Sequence, residues 1–493
     1  MAFQVFLLIL MMGRFQDYFV LFDTFCSILS LFVILYIVNS PSNPGYKIAW
    51  IIPIMLVPIF GGIAYLMFGG NKLSKRNRRK MQDIFYQMDH NLKPDEDVVE
   101  ALKKDSIPAF MQSQYITKKA LCPVSDHTSS EYLPTGEVYF ERMVEELKQA
   151  KHFIFMEYFI VHEGKMWNTV LDILEQKVKE GVDVRFIYDD MGCLMTLPNR
   201  YYKQLEARGI RCCVFNPFIP VLTSRLNNRD HRKIVVIDGT VGFTGGINLA
   251  DEYINAITRF GHWKDNGILL KGEAVWNLTV MFLSIWDYVR NEKEDYQLYH
   301  PSRYQVKAYR SDGFVQPYGD SPLDYEAVGE TVYMNLINRA NDYVYITTPY
   351  LIIDNEMVTA LCNAAKSGVD VKIITPGIPD KKIVNEVTKA YYHILLEAGV
   401  EIYEYTPGFI HAKTFVVDDV YATVGTVNLD YRSLYLHFEC GVWLYKSKTI
   451  QVIKKDLVET LAQCKKIQLG ESQKLDMFSR MKRAVLRVFA PLM

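Results

Sequence analysis

His231-Arg-Lys-Ile-Val-Val-Ile-Asp238 and His411-Ala-Lys-Thr-Phe-Val-Val-Asp418 are two stretches of this chain with the same pattern, H-x-K-x4-D. After six further residues, each continues into a Gly-x-x-Asn turn that ends at Asn248 or Asn428. At average residue frequencies, one such pattern is expected by chance about 0.04 times in a chain of this length. Two copies with the same continuation therefore indicate a duplicated unit with one shared role.

The residues between lysine and aspartate are apolar in both copies, which is typical of a buried β-strand. Side chains two positions apart on a strand point to the same face. Histidine and lysine of each copy should therefore share a face, with Arg232 or Ala412 opposite. We expect the two copies to face each other across one small volume.

Longer segments around these motifs repeat as well. Ala150-Lys-His-Phe-Ile-Phe-Met-Glu-Tyr-Phe-Ile160 matches Ala340-Asn-Asp-Tyr-Val-Tyr-Ile-Thr-Thr-Pro-Tyr350, and both are followed by a helical segment and a Gly-Val-Asp turn into an apolar run. Apolar, β-branched runs that alternate with helical segments predict an α/β fold. The sequence thus predicts two tandem α-β-α domains packed as a pseudo-dimer.

The N-terminal region has two apolar runs, Phe19 to Val38 and Ile48 to Phe68, joined by a turn-rich connector. Each has about the 20 residues that a helix needs to cross a bilayer. We therefore predict a two-helix transmembrane hairpin, with helices at about 17–38 and 48–68. Residues 1–12 are apolar but short, and we expect them at the membrane interface.

Basic residues predict the orientation of this hairpin. One lysine lies in the connector, whereas six basic residues follow the second run: Lys72, Lys75, Arg76, Arg78, Arg79 and Lys80. Because basic segments stay preferentially in the cytoplasm, the catalytic domains should lie on the cytoplasmic side of the cell membrane. The same cluster is expected to attract anionic lipid.

Length and composition set further limits. The 493 residues should form several domains: a membrane region over 1–70, a basic and polar linker over 71–115, and two domains over 116–300 and 301–493. The formal net charge of −1 gives no support to nucleic-acid binding. The eight cysteines have no zinc-site spacing, and we expect them to be reduced. No cofactor and no protein partner are predicted.

Two imidazoles and two ammonium groups around one volume suit a phosphodiester substrate. One neutral histidine would attack phosphorus, and the other would protonate the leaving alcohol. Lys233 and Lys413, helped by Asn248 and Asn428, would offset charge on the phosphate oxygens, so no metal is needed. The candidate catalytic residues are His231, Lys233, Asp238, His411, Lys413 and Asp418.

The roles of the acidic residues are less clearly defined by the pattern. Asp238 and Asp418 end their strands at turns, where aspartate commonly accepts backbone hydrogen bonds, and we favour that role over direct chemistry. A catalytic histidine also needs a carboxylate that orients it. Asp265 and Glu439, which follow the two motifs at matching places, are the candidates.

The duplicated motif resembles the signature of the phospholipase D superfamily. Within it, the chain is similar to bacterial cardiolipin synthases, through Tyr65-Leu-Met-Phe-Gly69, Gly408-Phe-Ile-His-Ala-Lys413 and Gly425-Thr-Val-Asn-Leu-Asp-Tyr-Arg-Ser433. The resemblance implies two phospholipase D-like domains. It also implies transfer of a phosphatidyl group from one phosphatidylglycerol to another, with release of glycerol.

The resemblance extends to individual residues. It implies that His231 is the nucleophile, through a phosphohistidine intermediate, and that Asp265 and Glu439 hold the two histidines. The chain departs from the family at His437, where Asn is usual, and at Asn266, where Thr is commoner.

Other functions remain open from the residues alone. Chemistry at phosphorus does not choose the acceptor, so a membrane-bound hydrolase of the phospholipase D type or another phosphatidyltransferase is an alternative. A catalytically silent membrane scaffold and a phosphodiesterase acting on nucleic acid are further alternatives. The C-terminal segment Met477 to Phe489 interleaves basic and apolar residues, which predicts a helix either at the membrane interface or docked on the fold.

Overall fold

The computed structural model describes residues 19–69, 75–218, 228–304, 309, 312–324, 326–473 and 476–492. These residues form two compact units. The first unit contains residues 19–69 and the C-terminal residues 485–492, and the second contains the described residues from 75 to 484. Both repeated motifs lie in the second unit.

The first unit is helical. Its helices are Phe19–Asn39, Pro44–Leu56 and Pro58–Phe68, with a 3-10 turn at Ala490–Leu492. A small core holds the three helices together through Val33, Ile37, Ile54 and Tyr65.

The predicted transmembrane hairpin is not supported. In the part of the chain that the structure describes, no helix has both the length and the apolar character needed to cross a membrane. The second apolar run is divided at Val57 into helices of 13 and 11 residues, with Pro58 at the start of the second. Proline lacks an N–H and suits the first turn of a helix. Thirteen helical residues span about 20 Å, less than the hydrocarbon thickness of about 30 Å. Residues 1–12, expected at the interface, lie outside the described residues.

The first sheet of the second unit has seven strands, in the order β1-β8-β6-β5-β2-β3-β4. Strands β2, β3 and β4 are parallel, and β5, β6 and β8 add to them antiparallel. The first eight strands in chain order are β1 (Thr128–Leu133), β2 (Phe153–Tyr158), β3 (Asp183–Asp189), β4 (Arg211–Phe215), β5 (Ile234–Ile237), β6 (Val241–Gly245), β7 (His262–Lys264) and β8 (Gly267–Gly272).

The second sheet has eight strands, in the order β19-β13-β12-β10-β15-β16-β18-β9. Its central part, β12-β10-β15-β16-β18, repeats the order of β3-β2-β5-β6-β8 in the first sheet, which confirms the predicted α/β class and duplication. The remaining strands are β9 (Phe314–Asp320), β10 (Tyr343–Thr347), β11 (Leu351–Ile352), β12 (Asp370–Pro376), β13 (Glu401–Tyr405), β14 (Gly408–Ile410), β15 (Thr414–Val417), β16 (Tyr421–Gly425), β17 (Leu429–Asp430), β18 (Glu439–Tyr445) and β19 (Cys464–Lys466).

Helices connect the strands of both sheets. In the first half they are Gly136–Gln149, Lys165–Lys179, Asp190–Cys193, Tyr201–Ala207 and Val275–Arg290, with 3-10 turns at Asp251–Ile254, Tyr296–Tyr299 and Pro301–Arg303. In the second half they are Val328–Arg339, Asn355–Lys366, Lys382–Glu397, Tyr431–Tyr435, Thr449–Leu461, Leu469–Gln473 and Met477–Phe489. The apolar faces of the first-half helices and sheet form a continuous core around Trp167, Phe186 and Phe243.

The segment predicted as a linker is mostly helical instead. Helices occupy Lys75–Asn91, Glu96–Asp105 and Ile107–Lys119. Asp95 and Ser106 cap the last two by accepting hydrogen bonds from backbone N–H groups, and Val98 and Leu102 are buried. Asp97, Glu100 and Lys103 form the exposed face of the helix Glu96–Asp105, and such charged faces explain why the segment resembles a linker in composition.

Asp238 and Asp418 each lie in the turn between two neighbouring strands, and each binds the backbone at the start of a third strand of the same sheet. Both have positive φ, 50° and 52°, and both occupy tight turns. The Asp238 carboxylate accepts hydrogen bonds of 2.7–2.9 Å from the N–H groups of Lys151, His152 and Phe153. Asp418 accepts bonds of 2.7–3.0 Å from Asn341, Asp342 and Tyr343. These bonds are those expected of the structural role that the sequence favoured.

We predict that Asp238→Ala lowers the free energy of unfolding by about 3 kcal/mol, because it removes the acceptor of three hydrogen bonds and because alanine tolerates the left-handed backbone conformation less well than aspartate. Asp238→Asn is the matched control and should lose less, since asparagine keeps one acceptor oxygen and tolerates positive φ. Denaturant titration of the purified protein measures both. Equal losses for the two variants would contradict this role.

Candidate active site

The segments that carry the two histidines pair with segments of the opposite half. The His231 N–H donates to the Phe438 carbonyl at 2.9 Å, and the Phe438 N–H donates to the Arg229 carbonyl at 2.8 Å. In the same way, β14 pairs in parallel with β7, and the His411 N–H donates to the Lys264 carbonyl at 2.7 Å. Each histidine is thus fixed by backbone of the other half.

The orienting carboxylates are exchanged between the halves. His231 Nδ1 lies 2.9 Å from both carboxylate oxygens of Glu439, and His411 Nδ1 lies 2.6 Å from Asp265 Oδ2. Thr426 Oγ1 donates a further hydrogen bond to Glu439. The sequence singled out both carboxylates, and the structure brings each of them to the histidine of the other motif.

The two histidine–carboxylate pairs lie in buried surroundings that determine the protonation state of the imidazoles. Burial lowers the pKa of His231 to about 3 and that of His411 to about 4, so both rings are neutral at neutral pH. Burial alone would raise the pKa of Glu439, but the neighbouring His231 holds it well below its usual range. A neutral ring that donates through Nδ1 to a carboxylate keeps an unshared electron pair on Nε2. Nε2 is therefore the reactive nitrogen in each half.

The two lysines lie beside their histidines. Lys233 and Lys413 are buried, and each Nζ donates to the backbone carbonyl of the histidine in its own motif. Burial lowers the pKa of Lys233 to about 8 and that of Lys413 to about 7. The charge of Lys233 also lowers the pKa values of Lys413 and His411, so both motifs share one electrostatic environment.

The two motif asparagines differ in their contacts. Asn248 accepts a 3.0 Å bond from the Ile160 N–H and donates a 2.7 Å bond to the Tyr253 hydroxyl. Among the described residues, the Asn428 Oδ1 has no hydrogen-bond partner. Asn248 therefore holds neighbouring backbone and side chain, a contact that the sequence did not indicate.

Aromatic rings form the walls of the site, and sequence reasoning missed them. Phe159 packs edge-on to His231, with 5.0 Å between ring centroids, and Lys233 Nζ lies 5.4 Å from the Phe159 ring. Around His411, the rings of Tyr253 and Trp263 lie at 5.5 and 5.6 Å. Phe159 directly follows β2 and belongs to the repeated segment. Its place in that repeat is the sequence signal that could have identified it as a residue of the site.

Residues between histidine and lysine differ in the two motifs. Arg232 is buried and pairs with Glu157 at 2.6 Å and Asp230 at 3.2 Å, whereas Ala412 has no charge. The guanidinium thus pairs with acidic residues of the first half, and it also lies 5.8 Å from the ring of Phe438 in the second half. The two halves are similar in chemistry but not identical in charge.

One group of potential metal ligands occurs among the described residues. It consists of His231, His437 and Glu439, whose ligand atoms all lie within 4.8 Å of one another. Otherwise, the candidate catalytic groups of each motif are one imidazole, one carboxylate from the other half and one ammonium group.

Comparison with protein families gives two matches. Residues 143–284 and 333–461 match the model described as "Cardiolipin synthase, PLD-like domain". Residues 28–70 match the model described as "Phospholipase_D-nuclease N-terminal". The first match covers both motifs, and more than half of the chain.

Similar proteins match over almost the full length. "Cardiolipin synthase 2" of Bacillus anthracis is 35% identical, over 92% of this chain and 87% of its own. "Cardiolipin synthase" of Alkalihalophilus pseudofirmus is 35% identical, over 95% and 92%. An "Uncharacterized protein" of Streptococcus mutans is 45% identical, over 93% and 99%.

Among solved structures, phosphatidylserine synthase of Haemophilus influenzae has a similar fold. It superposes with a TM-score of 0.58 at 14% sequence identity, over 78% of this chain and 98% of that one. At this identity the match concerns the fold alone.

We predict that Glu439→Gln lowers turnover of a chromogenic phosphodiester on the order of a thousandfold, since glutamine presents no charge to the imidazolium that forms at His231. Asp265→Asn should act similarly through His411. Glu146→Gln is the matched control, because Glu146 is buried in the first half but bonds Lys271 and Arg142. Unchanged turnover in Glu439→Gln would exclude an orienting role.

Proposed function

This chain belongs to the cardiolipin synthase family with two phospholipase D-like domains, and we propose that it transfers a phosphatidyl group from one phosphatidylglycerol to another, giving cardiolipin and glycerol. The observation that carries the proposal is the pair of crossed histidine–carboxylate contacts, at 2.9 and 2.6 Å, next to two buried lysines. The arrangement offers two reactive imidazole nitrogens and two cations to one phosphodiester. As a member of this family, the chain is a phosphatidyltransferase.

In the first step that we propose, Nε2 of His231 attacks phosphorus. The bond between phosphorus and the glycerol head-group oxygen breaks, and His411, in its protonated form, gives a proton to that oxygen. The choice of His231 as the nucleophile follows the family resemblance, since burial lowers the pKa values of both His231 and His411. The bound phosphodiester anion raises the pKa of the acid toward the working pH.

In the second step, phosphorus is transferred from His231 to the acceptor hydroxyl. A hydroxyl of the second phosphatidylglycerol gives its proton to the now neutral His411, and its oxygen attacks phosphorus. The bond between phosphorus and His231 breaks, which releases cardiolipin. Lys233 and Lys413 offset negative charge on the phosphate oxygens in both steps, so the chain's own side chains supply the positive charge.

A membrane surface is the proposed location of this reaction. Apolar side chains of the N-terminal helices are strongly exposed, for example Phe25 at 62% and Leu56 at 75%. Soluble surfaces rarely expose such patches, and a lipid phase would cover them. The orientation of the catalytic domains toward the cytoplasm stays a prediction.

The C-terminal helix Met477–Phe489 supports contact with anionic lipid. None of its residues is buried, and Met477, Phe478, Met481 and Val485 are exposed on one side. Arg480, Lys482, Arg483 and Arg487 provide the positive charge. An amphipathic basic helix with an uncovered apolar face is typical of helices that lie in the interface of an anionic membrane.

We predict that the purified chain converts phosphatidylglycerol in mixed micelles to equimolar cardiolipin and glycerol, measured by thin-layer chromatography and an enzymatic glycerol assay. Rapid acid-free quenching with phosphorus-labelled lipid should trap label on His231 in the wild type and none in His231→Gln. Phosphatidic acid as the sole lipid product would assign a hydrolase instead. No lipid product, with His411→Ala indistinguishable from wild type, would support a scaffold.

We also predict that kcat/KM falls as pH rises above about 7. Lys413 is charged below its pKa of about 7 and loses that charge above it, and Lys233 follows at about 8. Arginine stays protonated, so in Lys413→Arg the alkaline fall should begin about one pH unit higher, whatever its maximal rate. Lys271→Arg is the control. An unshifted profile in Lys413→Arg would show that Lys413 does not determine it.

A further inference from the structure

His437 is a buried imidazole next to the candidate active site that the proposed reaction does not use. Its side chain is 10% exposed, and its Nδ1 lies 3.8 Å from Glu439 Oε1. Within the described part of the chain, neither of its ring nitrogens has a hydrogen-bond partner. Buried polar groups are nearly always satisfied, and an unsatisfied one in a native fold leaves room for a water molecule, an ion or a ligand.

The side chains next to His437 are further potential metal ligands. The ring centroids of His437 and His231 are 5.6 Å apart, and Glu439 is the first residue of β18. One ligand atom from each of the three residues lies within 4.8 Å of the others. Two imidazoles and one carboxylate form a three-ligand set that binds Zn²⁺ with one position open.

The other half of the molecule differs at the equivalent position. His437 precedes Glu439 by two residues, and Trp263 precedes Asp265 by two residues. The Trp263 ring lies 5.6 Å from the His411 ring, which is the same separation as between His437 and His231. Because indole does not bind metal ions, the ligand set exists beside His231 and is incomplete beside His411.

We propose that His231, His437 and Glu439 form a binding site for Zn²⁺, and that the bound ion inhibits the enzyme reversibly. Binding itself follows from the three side chains alone. Inhibition rests on the function proposed above, because it requires that His231 takes part in the reaction.

The inhibition follows from the position of one proton. In the neutral His231 ring, Nδ1 carries the hydrogen that it donates to Glu439, and Nε2 carries the unshared pair. A Zn²⁺ ion between the two groups binds the unshared pair of Nδ1, so the ring's hydrogen moves to Nε2. Nε2 then has no electron pair with which to attack phosphorus or to accept a proton. No proton leaves the ring, and removal of the ion restores the reactive tautomer.

The donor set also predicts selectivity. Imidazole nitrogen favours Zn²⁺ and its transition-metal neighbours, whereas Mg²⁺ prefers oxygen ligands in octahedral geometry. Zn²⁺ should therefore inhibit at concentrations at which Mg²⁺ has no effect.

The test compares three forms of the full chain: wild type, His437→Asn, and the control His90→Asn, which changes an exposed histidine in the helix Lys75–Asn91. Equilibrium dialysis against Zn²⁺ should give about one ion fewer per chain in His437→Asn, and no change in His90→Asn. In the phosphatidylglycerol assay, half-inhibition by Zn²⁺ should need at least about ten times more metal in His437→Asn. A chelator should restore wild-type activity.

Glu439→Gln is a second variant for the dialysis, and it should lose the same ion even where it has no activity. Equal Zn²⁺ binding by wild type and His437→Asn, both confirmed as folded by thermal melting, would overturn the site. Equal inhibition of both would overturn the mechanism. If one ion is lost in His437→Asn but no cardiolipin forms in any variant, the metal site stands and the proposed function fails.

Discussion

The exchange of carboxylates between the two halves is the contact on which the whole site depends. Glu439 holds His231 and Asp265 holds His411, and the backbone hydrogen bonds from the Phe438 N–H to the Arg229 carbonyl and from the His411 N–H to the Lys264 carbonyl bring those partners into reach. Each of the two motif histidines is thus held by a carboxylate of the opposite half. The relative position of the two sheets is therefore part of the chemistry and not only of the packing.

Burial then sets the protonation of the histidines and lysines in the site. It lowers the pKa values of both histidines and both lysines, while the paired carboxylates stay ionised. Water would leave lysine permanently charged and histidine half charged near neutral pH. In the protein, the imidazoles are neutral bases and the lysines titrate near neutrality. A phosphodiester anion that binds there favours the protonated forms of these groups and so changes the charge of the site. The low polarity of the site thus makes the groups responsive to the substrate.

Much of the fold followed from local patterns, because the information was local. The apolar stretches after Lys233 and Lys413 are strands, and Asp238 and Asp418 accept backbone hydrogen bonds at their ends. The crossing of Asp265 and Glu439 was not predictable, since it depends on pairing between β7 and β14, strands that are distant in sequence. The helices from Lys75 to Lys119, in the segment predicted as a basic and polar linker, were not recognised because surface charge outweighed the buried Val98 and Leu102. The break at Pro58 had a visible signal, but hydropathy over the whole run concealed it.

The crossed carboxylates also restrict how such a molecule could have arisen. A polypeptide with one motif alone would lack the acid that steadies its imidazole, so a half-length ancestor must have worked as a homodimer in which each copy served the other. Fusion of two copies into one chain removed the need for identical partners. Each side could then change separately, which explains how arginine and alanine, or histidine and tryptophan, came to occupy equivalent places at positions 232 and 412 and at 437 and 263.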